Sequence, residues 1–256
     1  MSGPGVSLVV VQYRGSDQLA LCLASAFRVP AITEAIVVDN EGVARALRRE
    51  HPDRRVRVLA MAHNAGYGTA ANVGLQAAQH AAVLVMNQDA TISEAALSSM
   101  LQAGDAGEAW VVGPRLVDPS GTLVPVKGPF PPPLAWSEDG RGQGWRTVPW
   151  ISGAAMLFMP ARPDDLRFDE RLFMYVEDEE LCWRVWRDGG RVVLAERALV
   201  EHTGGSASAT RWPLGAITRR TVLNRARMVS WHAGVRGLPR FAAGVVGRRL
   251  SRLGSR

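Results

Sequence analysis

Between Phe168 and Arg184 the chain reads FDERLFMYVEDEELCWR, six carboxylates set among aromatic and apolar residues. On a helix over residues 177–188, Asp178, Leu181, Cys182 and Val185 fall at i, i+3, i+4 and i+7 and share one stripe. That stripe is apolar except at Asp178. Glu177, Glu180, Arg184 and Arg187 occupy the opposite face, expected to be solvated, with Glu180 and Arg184 at ion-pair spacing. A carboxylate on the inward face is costly unless it is paired or faces a polar cavity, and desolvation raises its basicity, which suits a general base. The helix macrodipole also favours an Asp near a helix start, so this segment alone leaves both readings open.

Two further segments carry candidate metal chemistry. An apolar run from Ala82 ends at Asn87-Gln88-Asp89, placing a carboxylate where a hard divalent cation and a diphosphate could share it; a simple turn would use the same residues. In Glu201-His202-Thr203-Gly204-Gly205-Ser206, a neutral imidazole could add a nitrogen ligand, although a lone histidine is commonly structural. His51, His63, His80 and His232 show no metal-ligand spacing. The stretch from His63 to Gly74 supplies glycines for a tight turn and a following helix whose free N–H groups suit an anion. It is neither G-x-G-x-x-G nor a Gly-Lys-Ser/Thr phosphate loop, which argues against a dinucleotide-dependent dehydrogenase.

The elements that must position these residues alternate. Strands are expected at 6–11, 35–38, 56–60 and 82–86, with helices at 19–27, 43–50, 69–80 and 93–103, the last capped by Ser93. The implied architecture is a parallel sheet covered on both sides, with ligands beyond the carboxyl ends of the strands, where Asp39 and Asp89 stand. After Trp110 the pattern changes. Strands are expected at 111–117, 122–126 and 150–159, the last interrupted by Ser152-Gly153, and short ones at 192–194 and 198–200. Residues 128–144, rich in Pro and Gly, read as a loop over the sheet edge.

With 47% apolar and 21% charged residues, the 256-residue chain has the composition of one globular domain with an appendage. Cys22 and Cys182 lie in apolar helical patterns and read as buried thiols, consistent with a reducing cytoplasm. Near the N-terminus the apolar run is too short for a signal peptide or a membrane span. All 24 acids precede residue 202, while eleven arginines follow it, so the net charge of +6 belongs to the C-terminal part. Phe241, Val245, Val246, Leu250 and Leu253 alternate with arginines there, the pattern of an amphipathic helix on an anionic membrane; a solvated basic end fits equally well.

Taken in order, VSLVVVQY, VVDN at 37–40, NAGYGTAANVG, LVMNQD, WISGAAMLF, FDERLFMYVEDEELCWR and EHTGGS resemble the family 2 glycosyltransferases of GT-A fold, especially their rhamnosyltransferase-like branch. The resemblance covers roughly residues 6–231. It implies a Rossmann-like, mostly parallel sheet flanked by helices and followed by a mixed acceptor-side region. Residues 1–109 would form the nucleotide-sugar half, 110–231 the acceptor and catalytic half, and 232–256 the basic tail.

By the same resemblance, Asp39 would contact the nucleobase or ribose of a dTDP- or UDP-sugar, with Asn64, Gly66 and Asn72 shaping the pocket wall. Asp89 and His202, beside Asn87, would hold Mg²⁺ or Mn²⁺ on the donor diphosphate. Trp150, Ser152 and Gly153 would line the sugar and acceptor cleft, and Asp178 would take the proton from the acceptor hydroxyl. One metal site and one base fit a single displacement with inversion; a retaining route would want a second positioned carboxylate. The acceptor would be a glycan, glycolipid or small molecule in envelope or secondary-metabolite synthesis, at the cytoplasmic side of the membrane, with no nucleic acid.

Three departures stand out. Tyr13 precedes Arg14 where Asn is usual, Glu41-Gly42-Val43 replaces a Ser/Asp-rich stretch, and Asn87 stands where many relatives carry Asp. Asn224-Arg225-Ala226-Arg227 resembles the family's Arg-Asn helix with Ala226 in the Asn position. The competing classes are a sugar nucleotidyltransferase, which wants a Gly-rich basic loop that Gln12-Tyr13-Arg14-Gly15 matches poorly, and a noncatalytic nucleotide-sugar-binding module.

Overall fold

A computed structural model describes residues 5–124, 137–204 and 213–233. The chain runs β1 (Val6–Gln12), α1 (Ser16–Ala26), β2 (Ile32–Asp39), α2 (Ala44–Glu50), β3 (Val56–Ala60), α3 (Tyr67–Ala77) and β4 (Ala82–Asn87). A two-residue β5 (Ala90–Thr91) leads to α4 (Glu94–Ala106), where Ser93 accepts the Ala96 N–H as N-cap. Then follow β6 (Val111–Val117), β7 (Trp145–Thr147), β8 (Ala155–Phe158), α5 (Glu177–Arg187), β9 (Val192–His202) and α6 (Leu214–Ala233).

One sheet carries all nine strands in the order β3-β2-β1-β4-β8-β6-β9-β5, with β7 beside β9. β1 to β4 pair in parallel, and the register aligns Gln12 with Asp39 and Val11 with Asn87, so their carboxyl ends form one edge. β8 runs antiparallel between β4 and β6, making the second half mixed. This is the expected α/β architecture. The unbroken apolar run of β1 follows from burial on both faces: Leu8 and Val10 enter the core with α1 and α4, Val9 and Val11 the core with α3 and α5. Gly74 lets α3 close onto β1, since a Cβ there would meet Val9 Cγ1 at 2.2 Å.

Several boundaries differ from the sequence pattern. The strand expected at 150–159 shortens to β8 because polar groups beside it claim the Gly153 backbone: its N–H donates to Asp178 (2.9 Å) and its carbonyl accepts the Tyr67 hydroxyl (2.7 Å). The two short strands expected at 192–200 are one strand, with a register shift between Pro114 and Arg115 of its partner β6. β7 was not expected; Trp145 and Thr147 bury against β9. The strand at 122–126 is a single bridge, Val117 to Leu123, within the described residues.

The largest correction concerns α5. Glu177, Glu179 and Glu180 are buried, so the face expected to be solvated is open to solvent only toward its C-terminal end, at Arg187. α6 covers it: Arg225 donates to Glu179 (2.8 Å), and His232, stacked on Trp183, lies 2.9 Å from Glu180, which also accepts from Arg184 (2.8 Å). Periodicity marks the stripe facing the sheet, and cannot reveal that a second helix lands on the other side. α6 also runs through the boundary expected at 231, while the amphipathic segment at 239–256 lies outside the described residues.

Candidate functional site

A cleft of about 330 Å³ opens at the carboxyl edge of the sheet. Asn40, Asn87, Gln88 and Asp89 line it from the strand ends, Tyr13 and Asn64 from the loops, Tyr67 from the start of α3, and Ser152, Gly153, Met174, Tyr175, Glu177, Asp178 and His202 from the later half. Asp89 and His202 meet because β5 pairs antiparallel with β9, placing Ala90 opposite His202. Asp89 Oδ1 lies 3.2 Å from His202 Nε2, and the Asn87 amide nitrogen 3.1 Å from that same Nε2. Among the described residues no three His, Cys, Asp or Glu side chains cluster as a metal cage. A carboxylate oxygen and an imidazole nitrogen this close are a donor pair of the kind that could hold a divalent ion.

The acid pair stands across the cleft, at the start of α5. Tyr175 and Val176, just before the helix, both have positive φ (68° and 79°), a costly conformation, especially for a β-branched residue. Asn224 on α6 holds this segment by donating to the carbonyls of Met174 (3.0 Å) and Tyr175 (2.9 Å). Asn224 thus holds the entry to α5 from a position two residues before Ala226.

Asp178 accepts N–H bonds from Gly153 (2.9 Å) and Glu179 (2.8 Å), while burial nevertheless raises its pKa above the usual carboxylate range. The indole N–H of Trp150 favours the charged form of Asp178, although that nitrogen makes no hydrogen bond of normal geometry. Glu177 is pushed up to about 8, first by burial and then by the neighbouring Asp178 charge, and its Oε2 is buried without a hydrogen-bond partner. Burial therefore favours the protonated form of Glu177, while the N–H donors on both Asp178 oxygens favour the charged form of Asp178.

The other sequence candidates divide. Asn64 lines the cleft and accepts the Gly66 N–H (3.0 Å); Gly66 needs its φ of +91°, and a Cβ there would strike the Phe173 carbonyl at 2.1 Å. Asn72 lies outside the lining and instead pins the Phe168 backbone through bonds of 2.9 and 2.8 Å. Trp150 is also outside the lining. Asp39 is fully buried: Oδ1 accepts the N–H groups of Glu41 and Gly42 (both 2.9 Å), and Oδ2 has no partner. Sequence reasoning missed Asn40, Tyr67, Gln88, Tyr175 and Glu177. Asn40 and Gln88 sit directly beside residues it chose, whereas Glu177 had been assigned to the wrong face.

A parallel sheet with acids at its carboxyl edge, continued by a mixed half that brings an acid-bearing helix across from them, defines a GT-A glycosyltransferase. Residues 7–159 match the model of glycosyl transferase family 2, and the chain belongs to that family. It is 28% identical over 234 residues to an N-acetylglucosaminyl-diphospho-decaprenol L-rhamnosyltransferase of Mycobacterium tuberculosis, covering 76% of this chain and 75% of the relative. Similar folds include GalNAc-T7, solved with UDP, GalNAc and Mn²⁺ (TM-score 0.66, 14% identity, 89% of this chain and 48% of that one). S. aureus TarS 1-349, solved with UDP-GlcNAc, is another (TM-score 0.61, 17% identity, 88% and 66%). The chain thus spans about half of the first of these structures and two thirds of the second.

Proposed function

We propose that the protein transfers a rhamnose-like hexose, with inversion and with Mg²⁺ or Mn²⁺, from a dTDP- or UDP-sugar to an acceptor hydroxyl in cell-envelope glycan or glycolipid synthesis, at the cytoplasmic face of the membrane. The observation that carries this reading is that Asp178 and the Asp89–His202 pair line one cleft. Asp178 removes the acceptor proton as the hydroxyl oxygen attacks the anomeric carbon, and the bond to the donor diphosphate breaks on the other side. Two backbone N–H groups fix the carboxylate, and burial makes it a stronger base than a surface Asp. Asp89 and His202 would hold the cation, which would supply positive charge beside the leaving diphosphate. The cleft lining contains no Arg or Lys, so that positive charge has no alternative source among the lining residues.

The test is a panel of nucleotide-sugars scored by release of nucleoside diphosphate, with metal and with EDTA. Metal-dependent release from one donor class is expected. Binding with no release under any condition would instead favour a noncatalytic nucleotide-sugar-binding module.

A further inference from the structure

Beside the cleft, between α6 and the segment 171–173, lies a groove of about 670 Å³. Four arginines line it, Arg171, Arg219, Arg220 and Arg227, and none of its lining residues is acidic. α6 itself contains no Asp or Glu. Two of the arginines are already engaged: Arg171 pairs with Asp169 and lies over the Trp231 ring at 3.9 Å, and Arg220 lies 5.4 Å from the centre of the Phe173 ring. Arg219 and Arg227 are exposed on the helix surface, Arg227 touching Asn224 Oδ1 at 3.3 Å. Phe173 and Leu223, both large and exposed, give the groove an apolar lining next to its charge.

The groove and the cleft share a wall. Phe173 lines the groove, the next two residues line the cleft, and Asn224 lines the groove while holding the carbonyls of Met174 and Tyr175. A ligand in the groove therefore ends beside Asp178's side of the cleft. The donor diphosphate belongs with Asp89 and His202, so the groove's anion is a different one. We infer that this groove binds the phosphate or diphosphate of an acceptor carried on an apolar chain, with Arg219 and Arg227 as its principal cations and Phe173 and Leu223 against the first carbons of the chain. This deepens the glycosyltransferase reading and rests on it for the acceptor's role. Guanidinium groups suit such a ligand because each can give two parallel N–H bonds to phosphate oxygens.

The experiment is calorimetric titration of the whole protein with farnesyl diphosphate, inorganic pyrophosphate and farnesol, in EDTA so that no cation can recruit a diphosphate to the cleft. Farnesyl diphosphate should bind more tightly than either fragment, weaken with salt, and lose at least ten-fold affinity in Arg219→Ala/Arg227→Ala and in Leu223→Asp. Equal binding by wild type and both variants, or none by wild type, would overturn the proposal. Displacement of farnesyl diphosphate by stoichiometric UDP would also overturn it, by placing the probe in the donor cleft. Anionic phosphatidylglycerol vesicles provide the lipid-surface control: if the variants lose vesicle binding but keep farnesyl diphosphate, the groove is a membrane contact and not an acceptor site. Donor hydrolysis with metal is measured on the same samples. Its loss in wild type would break the transferase reading, whereas the binding data would still decide whether the groove takes the anion.

Discussion

The cleft and the neighbouring groove share the wall formed by Phe173–Tyr175 and Asn224, yet their linings carry opposite charge. The cleft is lined by Asp89, Glu177 and Asp178 with no Arg or Lys; the groove is lined by four arginines with no acid. On the proposed reading, a cleft of that charge would need a divalent cation to hold a diphosphate, whereas the arginines of the groove would not. The difference teaches how sharply charge can be partitioned between neighbouring surfaces: acids and no Arg or Lys on one lining, arginines and no acid on the other.

Four measurements sharpen or break that contrast. Asp178→Asn should lower kcat by about a thousandfold, in line with the loss of a general base, and leave donor affinity within a few-fold. A collapse of donor binding would instead make Asp178 a donor ligand. Next in size, His202→Ala should raise the metal concentration needed for donor hydrolysis by about ten- to a hundredfold; unchanged metal dependence would remove His202 from the site.

Asn224→Ala tests the wall between the two regions. It leaves two carbonyls without their donor next to the positive-φ pair Tyr175 and Val176, so kcat should fall about ten-fold while donor Kd stays near wild type. A thermal shift with unchanged kinetics would reduce Asn224 to a purely structural residue.

The smallest effect is on stability against pH. Glu177 titrates at about 8 in the fold against an ordinary value of 4.5, so between these pH values the folded chain holds a proton that the unfolded chain has lost. Stability from this group is complete below about 4.5 and falls as pH rises toward 8. Glu177→Gln should flatten that slope, raising Tm at pH 8 relative to wild type; parallel curves would show that Glu177 is ionised throughout.

Much of the site could be read from the chain because its parts are local. Asp89 and His202 each close a short apolar run, and runs of that kind end at a sheet edge in any parallel arrangement. Asp178 was visible through helical spacing, since Leu181, Cys182 and Val185 are all fully buried in the structure. Asn72 was placed on the pocket wall because it belongs to the glycine-containing loop. Its amide faces the Phe168 backbone instead, a contact between residues 96 apart that no local pattern encodes.

The sequence by itself determined the alternating elements, the strand-end acids and the single carboxylate on the apolar stripe of α5, because periodicity and turn chemistry act over a few residues. Only the tertiary structure decided that α6 buries Glu179 and Glu180, that Asn224 holds the strained entry to the catalytic helix, and that Glu177 retains a proton beside Asp178. Those facts depend on which surface covers which. Desolvation and long-range pairing arise only once distant segments have packed.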